Sequence, residues 1–370
     1  MIRLAIIGCG GMTKNSYLPR FQHVADQIRV VAAVDTQQDR ADHAASLFDK
    51  ARAETDYRKV LDDIDAVLLA VPHNLHHPIA LDCLNAGKHV LLEKPMANTE
   101  QQCLELIEAA KRENKTLMVG YIMRYHPLTL ALKETIDKGL IGTVFQLSLW
   151  TEQYTHHPDG HWANRAVTLG GGQLFSHGCH YIDLLMWFLG RPVSGVHIGT
   201  NLGTPWMEKE GTSNVTMKFE GGALGYHAGT WGARGTRLGY SFHAHGEKGM
   251  LEANFTSDKL ILHRDNTDEH VRFHGSQEGK QSENQLIHFA HCIETGSTPD
   301  TDGPSSLQSL RVIWRLYDAE QRNVVADLTG LGLDEVEEPL QLRVNQVPIP
   351  PSTKAIPSGR SFHTRDSSNL

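Results

Sequence analysis

Short apolar runs alternate with amphipathic stretches over the first third of the chain, and this alternation predicts a parallel sheet. Each run is apolar at nearly every position, which is typical of a strand buried on both faces. The stretches between them have helical periodicity, and one begins with a capping box between Thr99 and Gln102. Helices on both faces of a parallel sheet define the α/β class. The predicted strands cover residues 4–7, 29–34, 66–71, 89–92 and 116–120, and the predicted helices cover 16–23, 76–86 and 100–113.

Beyond residue 145 the pattern changes to an alternation of apolar and polar residues, as in TVFQLSLW and SNVTMKF. This alternation predicts further strands, followed by two helices near 283–294 and 305–321. A length of 370 residues favours two domains, which we place at 1–123 and 124–340. The remaining residues, 341–370, are rich in Pro and Ser, and we expect a disordered tail or an arm across a neighbouring subunit.

The first predicted strand ends in a glycine turn that points to a dinucleotide. Gly8, Gly10, Gly11 and Met12 lie between a strand and a helix, where backbone N–H groups can hold a pyrophosphate. The third small position of the G-x-G-x-x-G pattern is Thr13. Asp35 ends the next strand, about 20 residues after this turn, as expected for a carboxylate that binds the adenosine ribose. Since a carboxylate there repels a 2′-phosphate, the pattern favours NAD over NADP.

Composition narrows the classes of protein further. The apolar share of 40% and the charged share of 21% are those of an ordinary globular protein. A net charge of −8, without a basic stripe, argues against a nucleic-acid partner. Five scattered cysteines without CxxC spacing indicate reduced thiols and a cytoplasmic protein. The short apolar start resembles a buried strand more than a secretory signal, and no apolar run is long enough to predict a membrane span.

The chain contains 22 histidines, several of them in short clusters. None of these clusters has a metal-ligand motif such as HExxH, so we expect no metal site. We expect the histidines to line a polar pocket or to form hydrogen bonds at loop ends. The clusters are His73, His76 and His77, then His156, His157 and His161, then His177 and His180.

The stretch AVLLAVPHNLHHPIALDCLNAGKHVLLEKPMANT, with the opening IRLAIIGCGGM, closely resembles the glucose-fructose oxidoreductase/inositol dehydrogenase (Gfo/Idh/MocA) family. In that family the Lys of the E-K-P motif lies beside the nicotinamide and the substrate hydroxyl, and Lys94 matches it. Lys94 follows the carboxyl end of a predicted parallel strand, where α/β sheets bind ligands. We expect Glu93 to hold the Lys94 ammonium and Pro95 to set the backbone direction.

The resemblance also assigns residues of the loop after the third predicted strand to the cofactor. His76 matches a family position near the nicotinamide half of the dinucleotide. Val71, Pro72 and Asn74 are expected to line the same groove by packing and backbone polarity, so we assign no chemistry to them. The expected cofactor-binding set is Gly8, Gly10, Gly11, Met12, Asp35, Val71, Pro72, Asn74, His76, Glu93 and Lys94.

A second family motif, G-G-G-x-L-x-D-x-G-x-H, is matched from Gly170 to His180 with one departure: Ser176 replaces the acid. The resemblance implies that the glycines let the chain pass close to the nicotinamide and the sugar. It also implies that the following helix projects His180 into the pocket, where a neutral imidazole suits a general base. Ser176 and His177 are further catalytic candidates, although His177 is equally compatible with a solvent-facing or helix-capping role.

The substrate side of the predicted site is less sharply defined. Trp162 fits the tryptophan of the family's substrate loop, and Arg165 is a candidate for the arginine that the family usually has beside it. His161 lies in a loop that either overhangs the pocket or faces solvent. Arg124 either meets the cofactor or an acidic substrate group, or forms an interdomain salt bridge. His177 and His180 complete the expected substrate-binding set.

The resemblance implies an NAD-dependent dehydrogenase that acts on a secondary hydroxyl of a sugar, a sugar derivative or an inositol. It also implies an open, largely antiparallel sheet in an α+β second domain, and a homo-oligomer, either a dimer or a tetramer. The missing acid at position 176 leaves a second hypothesis, a glycoside hydrolase that retains NAD and oxidises its substrate transiently. A third hypothesis is a non-catalytic sensor of sugar or NAD.

Overall fold

The first sheet is parallel and contains all five predicted strands together with one short edge strand. The structure is a computed structural model that describes residues 1–264, 268–274 and 282–333, so the predicted tail at 341–370 lies outside it. The strand order is β3-β2-β1-β4-β5-β6, which confirms the α/β prediction. The strands are β1 (Ile2–Ile7), β2 (Ile28–Val34), β3 (Arg52–Glu54), β4 (Ala66–Leu69), β5 (His89–Leu92) and β6 (Leu117–Val119).

Three α-helices connect these strands. Thr99 caps α3 as predicted, since its side chain accepts a hydrogen bond from the Gln102 N–H at 3.3 Å, but the Gln102 side chain accepts the N–H of Asn98 and not that of Thr99. The prediction of one helix over 16–23 is wrong: a π-helical turn is followed by a 3₁₀ turn that contains Pro19, which has no N–H to continue a helix. The helices are α1 (Gln38–Ala45), α2 (His76–Asn85) and α3 (Glu100–Arg112), and the shorter turns are Thr13–Tyr17, Leu18–Val24, Tyr57–Asp63, His73–Leu75 and Ile122–Tyr125.

The second sheet is largely antiparallel, as the resemblance implied. Its order is β14-β13-β12-β11-β7-β10-β9-β8-β15, and β7 pairs with β10 in parallel. The strands are β7 (Val144–Glu152), β8 (Pro192–Thr200), β9 (Thr212–Phe219), β10 (Leu224–Thr230), β11 (Tyr240–Gly246), β12 (Gly249–Asn254), β13 (Lys259–Arg264), β14 (Asp268–His274) and β15 (Ala326–Asp327). The helices of this half are α4 (Pro127–Asp137), α5 (Ala166–Leu169), α6 (Cys179–Leu189), α7 (Glu283–Thr295) and α8 (Gly303–Gln321), with a 3₁₀ turn at Trp162–Asn164 and a π-helical turn at Leu174–Gly178.

Helix α6 lies between the inner face of the second sheet and the rest of the molecule. Strand β9 alternates strictly, with Ser213, Val215, Met217 and Phe219 buried and the residues between them less buried. Helix α6 packs against α8 and against β10, and its first eight residues are all buried. One apolar core runs from the first sheet through α6 into the second sheet. The second glycine motif is therefore held at the junction of the two sheets.

Arg124 crosses this junction in a buried ion pair. Its guanidinium donates to both carboxylate oxygens of Asp183 on α6, at 2.7 and 2.8 Å, and to the Asp300 carbonyl at 2.9 Å. The exposed fractions of the two side chains are 5% and 1%. Of the roles expected for Arg124, the structure shows a salt bridge, although its partner Asp183 belongs to the same predicted domain, 124–340, and this pairing engages the guanidinium that could have bound an acidic substrate.

Within the part of the chain that the structure describes, no helix combines the length and the apolar character needed to cross a bilayer.

Breaking the Arg124–Asp183 pair is expected to destabilise the fold strongly. Arg124→Met leaves the Asp183 carboxylate buried without its partner, which lowers the free energy of unfolding by about 3 to 5 kcal/mol. The double variant Arg124→Met/Asp183→Leu recovers much of this loss because no buried charge remains. Denaturant unfolding followed by circular dichroism measures both, with Arg322→Met in an exposed helical pair as the matched control. A double variant less stable than the single one would contradict this account.

Candidate active site

The glycine turn after β1 packs against protein at one glycine and faces open space at two others. A Cβ on Gly8, whose φ is +93°, would lie 2.2 Å from the Ala70 carbonyl oxygen. A Cβ on Gly10 or Gly11 would meet no protein atom within 4 Å. The Thr13 hydroxyl donates to the Gly8 carbonyl at 2.5 Å, so the third small position closes the turn. The open space beside Gly10 and Gly11 is a cradle of the kind that a pyrophosphate requires.

Asp35 lies beside this turn at the end of β2. One carboxylate oxygen accepts the Cys9 N–H at 2.9 Å, and the other accepts the Gln37 N–H at 3.0 Å. These bonds orient the carboxylate at the edge of the cradle. The residues present therefore fit a nicotinamide dinucleotide, with Gly10, Gly11 and Met12 at the pyrophosphate and Asp35 at the adenosine ribose.

Lys94 lies just after β5, but its ammonium has a different partner from the one expected. Lys94 Nζ donates to the backbone carbonyl of Ser176 at 3.1 Å. The neighbouring Glu93 carboxylate is buried and accepts the Tyr17 hydroxyl at 2.6 Å. The expectation that Glu93 holds the ammonium is therefore wrong, because Tyr17, from the turn after the glycines, reaches the carboxylate instead. Burial and the Glu93 charge together raise the pKa of Tyr17 well above its usual value.

His76 contacts the backbone of the loop that carries Lys94. Its ring is fully buried, with Nδ1 2.7 Å from the Pro95 carbonyl oxygen and Nε2 2.9 Å from the Val71 carbonyl oxygen. Burial lowers the pKa of His76 to about 4, so the imidazole is neutral near neutral pH. Both ring nitrogens face backbone, so the structure ties two loops together through His76 and leaves it no direct contact with a dinucleotide. Of the other predicted groove residues, Val71 and Pro72 are half-buried and Asn74 is exposed.

His73 belongs to the same region, although it was not among the predicted site residues. Its Nδ1 lies 2.9 Å from the Leu169 carbonyl oxygen, and its ring meets the edge of Trp162 at 4.9 Å. Burial, followed by the charges of His76 and Lys94, lowers the pKa of His73 well below its usual value. The histidine cluster was visible in the sequence, but periodicity could not show which of its members turns inward.

The three glycines of the second motif make room for the protein's own side chains. A Cβ on Gly170, whose φ is +86°, would lie 2.5 Å from the Asn98 side chain, and one on Gly171 would lie 2.5 Å from Phe175. A Cβ on Gly172 would lie 2.2 Å from the Glu210 carboxylate. The expectation that these glycines admit the nicotinamide and the sugar is therefore corrected, because the space that a Cβ would take at each of them is filled by a protein side chain.

The π-helical turn at Leu174–Gly178 and the start of α6 bring Ser176, His177 and His180 together, all three of them buried. The His177 and His180 ring centroids are 6.2 Å apart. His177 Nδ1 lies 3.3 Å from the Gln173 side-chain nitrogen, and its Nε2 lies 3.1 Å from the Tyr240 hydroxyl. The hypothesis of a solvent-facing His177 is therefore wrong, since the imidazole is built into the interior.

Tyr240 was missed by sequence reasoning. It begins β11 and donates its hydroxyl proton to the Gln153 side-chain oxygen at 2.5 Å. Burial raises the pKa of Tyr240, which keeps this hydroxyl protonated. Tyr240 lies more than sixty residues from His177 in sequence, so only the pairing of β11 with β7 brings it to the histidine.

The predicted substrate loop is only partly at the site. Trp162 contacts His73, and His161 stacks on His157 with ring centroids 4.2 Å apart. Arg165 is 60% exposed and lies 3.9 Å from the Glu208 carboxylate, so the structure does not bring it to Lys94. Among the described residues, no group of three or more His, Cys, Asp or Glu side chains is arranged to hold a metal ion.

Comparison with known proteins places this site in a family. A model described as "oxidoreductase family, NAD-binding Rossmann fold" matches residues 2–121, and one described as "GFO/IDH/MocA C-terminal domain" matches residues 129–252. Together the two cover well over half of the chain, which therefore belongs to the Gfo/Idh/MocA family of oxidoreductases.

Relatives of this chain include dehydrogenases of sugars and polyols. Inositol 2-dehydrogenase 2 of Saccharopolyspora erythraea is 31% identical over 60% of the chain, which spans 65% of that relative's length. D-xylose 1-dehydrogenase (NADP(+)) 2 of Haloferax volcanii is 25% identical over 87% of the chain and 98% of the relative. The aldose-aldose oxidoreductase from Caulobacter crescentus, solved in complex with glycerol, is 25% identical with a TM-score of 0.78, over 88% of this chain and 99% of that one.

Alanine substitutions should affect cofactor binding in the first glycine motif and stability in the second. Gly10→Ala places its Cβ in the open cradle, so we expect an unchanged melting temperature and NADH binding weakened about tenfold or more, roughly 1.4 kcal/mol or greater. Gly172→Ala collides with Glu210, so we expect a melting temperature lower by several degrees. Thermal melts and NADH fluorescence titrations measure both effects. Gly221→Ala, in the turn between β9 and β10 with no atom near its Cβ, is the matched control. Unaltered NADH affinity in Gly10→Ala would contradict the assignment of the cradle.

Proposed function

We propose that this protein is an NAD-dependent dehydrogenase that oxidises a secondary hydroxyl of an uncharged sugar, sugar derivative or inositol. The observation that carries the proposal is the 3.1 Å hydrogen bond from Lys94 Nζ to the Ser176 carbonyl. This bond joins the end of a strand beside the dinucleotide cradle to the turn that carries His177 and His180. The Lys94 ammonium, the imidazoles of His177 and His180, and the glycine turn proposed to hold the cofactor thus belong to one region at the carboxyl end of the parallel sheet.

The roles of the residues follow from their surroundings. A bound NAD⁺ would supply the acceptor for a hydride from the carbinol carbon, and the substrate would then become a ketone. The His180 imidazole takes the hydroxyl proton and becomes imidazolium, which balances the step. The Lys94 ammonium donates a hydrogen bond to the substrate oxygen and stabilises the negative charge that develops on it.

Ser176 and His177 have other roles in this scheme. Ser176 holds Lys94 through its backbone carbonyl. Its hydroxyl is not assigned the role of base, because a serine hydroxyl cannot replace a carboxylate as a base at neutral pH. His177 is engaged by Gln173 and Tyr240 through its two ring nitrogens, so we assign it to holding the turn in place and not to removing the proton.

The charges around the pocket support an uncharged substrate. Arg124, the candidate for binding an acidic substrate group, is paired with Asp183, and Arg165 lies beside Glu208. Burial keeps His73, His76 and His227 neutral, the last with a pKa lowered to about 3. Neutral imidazoles and amides suit hydroxyl groups, whereas an unpaired carboxylate or phosphate would be costly to bury among them.

Asp35 supports NAD over NADP. Its carboxylate lies at the edge of the cradle, held by the Cys9 and Gln37 N–H groups, where a ribose 2′-phosphate would be repelled. A homo-oligomer stays a prediction from the family resemblance.

The decisive experiment follows NADH by absorbance while the purified protein is offered NAD⁺ or NADP⁺ with a panel of substrates. The panel contains free sugars, inositols, aryl glycosides, uronic acids and sugar phosphates. We expect NADH to accumulate with a neutral sugar or polyol, and turnover of the acidic counterparts to be lower by about tenfold or more. Release of an aglycone without net NADH would overturn the proposal in favour of a glycosidase, and binding without any turnover would indicate a sensor.

Replacing the ammonium should remove catalysis but retain the cofactor. Lys94→Met loses the donor to the developing alkoxide, so we expect kcat to fall by about 10²- to 10⁴-fold. NADH affinity should stay within a few-fold, because the cradle at Gly10 and Gly11 is untouched. Lys111→Met, at an exposed position on α3, is the matched control and should behave as the wild type. Wild-type turnover in Lys94→Met would remove Lys94 from the mechanism.

A further inference from the structure

Two side chains of the second half of the chain, Glu210 and Tyr317, meet the glycine turn of the second motif. Glu210 precedes β9, and Tyr317 lies on α8. The Tyr317 hydroxyl accepts the N–H groups of Gly172 at 3.3 Å and Phe175 at 3.2 Å, and it donates its own proton to the Glu210 carboxylate. A single hydroxyl group is thus engaged by two backbone donors and one carboxylate.

Glu210 binds the two backbone N–H groups that lie between these. Its backbone carbonyl accepts the Gln173 N–H at 2.7 Å, and its carboxylate faces the Leu174 N–H at 3.4 Å. Four consecutive N–H groups, from Gly172 to Phe175, therefore have partners on Glu210 or Tyr317. These groups begin a helical segment, where the first N–H groups have no partner inside the helix. The first bond within the segment follows directly, from the Ser176 N–H to the Gly172 carbonyl at 3.0 Å.

The same turn contains the backbone carbonyl that accepts the Lys94 ammonium. Ser176 is the next residue after the four bound N–H groups, and its carbonyl oxygen accepts Lys94 Nζ at 3.1 Å. We infer that Glu210 and Tyr317 are positioning residues that set the Ser176 carbonyl, and through it the Lys94 ammonium, for the reaction. This inference rests on the proposed function, but it concerns residues that lie on the far side of the turn from Lys94.

Two glycines leave room for the Glu210 side chain. A Cβ on Gly172 would lie 2.2 Å from the Glu210 carboxylate, and one on Gly199 would lie 2.8 Å from Glu210 Cγ. Two separate glycines thus accommodate one glutamate. Burial and the Glu210 charge raise the pKa of Tyr317 well above its usual value, so the hydroxyl keeps the proton that it donates. A carboxylate at the start of a helical segment is also favoured by the helix dipole.

The kinetic test compares Tyr317→Phe with Tyr226→Phe, a matched loss of a hydroxyl on β10 that donates to Asn214. We expect kcat of Tyr317→Phe to fall at least about tenfold, as is common for a displaced catalytic group, while KM and NADH affinity stay within about twofold. Glu210→Gln keeps an oxygen for Tyr317 and Leu174, so it should retain most of the activity that Glu210→Ala loses. A kcat of Tyr317→Phe equal to that of Tyr226→Phe, or an equal loss in Glu210→Gln and Glu210→Ala, would overturn the inference.

A second measurement requires no substrate, so it separates this inference from the proposed function. Hydrogen exchange of the peptide containing residues 172–176 is measured by mass spectrometry in the same variants. We expect exchange at least about tenfold faster in Tyr317→Phe, because two of its amides lose their acceptor, and unchanged exchange in Tyr226→Phe. Unchanged exchange in Tyr317→Phe would overturn the inference even if the enzyme turns over. Faster exchange in a protein that oxidises no sugar would support the positioning role while the proposed function fails.

Discussion

The hydrogen bond from the Lys94 ammonium to the Ser176 carbonyl is the contact on which the arrangement of this site depends. It connects a loop of the parallel sheet to a turn carried by the second sheet, so neither half of the chain forms the site alone. An ammonium next to a backbone carbonyl has a fixed position but keeps donors for a ligand, since Lys has three N–H groups.

The loops around this contact are held mainly by buried polar contacts. The His76 ring lies between two backbone carbonyls near Lys94 and, being neutral, donates to one of them, while the Tyr17 hydroxyl donates to the Glu93 carboxylate. Arg124 and Asp183 form a buried ion pair with two hydrogen bonds. Because such bonds are costly to leave unmade in the interior, they favour a single arrangement of the site over several loose ones. Preorganisation of this kind is what stabilisation of a developing alkoxide requires.

Much of the fold was predictable because the signals are local. The apolar runs, the glycine turn with Asp35 and the capping box at Thr99 each depend on residues close together in sequence. Strand β3 was missed because its three residues at the sheet edge carry no apolar run. The same limit applies to the site: Lys94 and His180 were found through motifs, whereas Tyr240 and Glu210 reach it only through long-range pairing of strands.

The sequence by itself determined the class of fold, and it singled out the glycine turn, Lys94 and His180 as candidates for the site. Only the tertiary structure decided their partners. Glu93 was expected to hold the Lys94 ammonium, yet its carboxylate accepts the Tyr17 hydroxyl, and the ammonium donates to the Ser176 carbonyl. Gly172 was expected to face a ligand, yet the side chain of Glu210 fills that space. Spacing along a chain identifies which groups are present, but a partner is chosen by distance and burial, which exist only once the chain is packed.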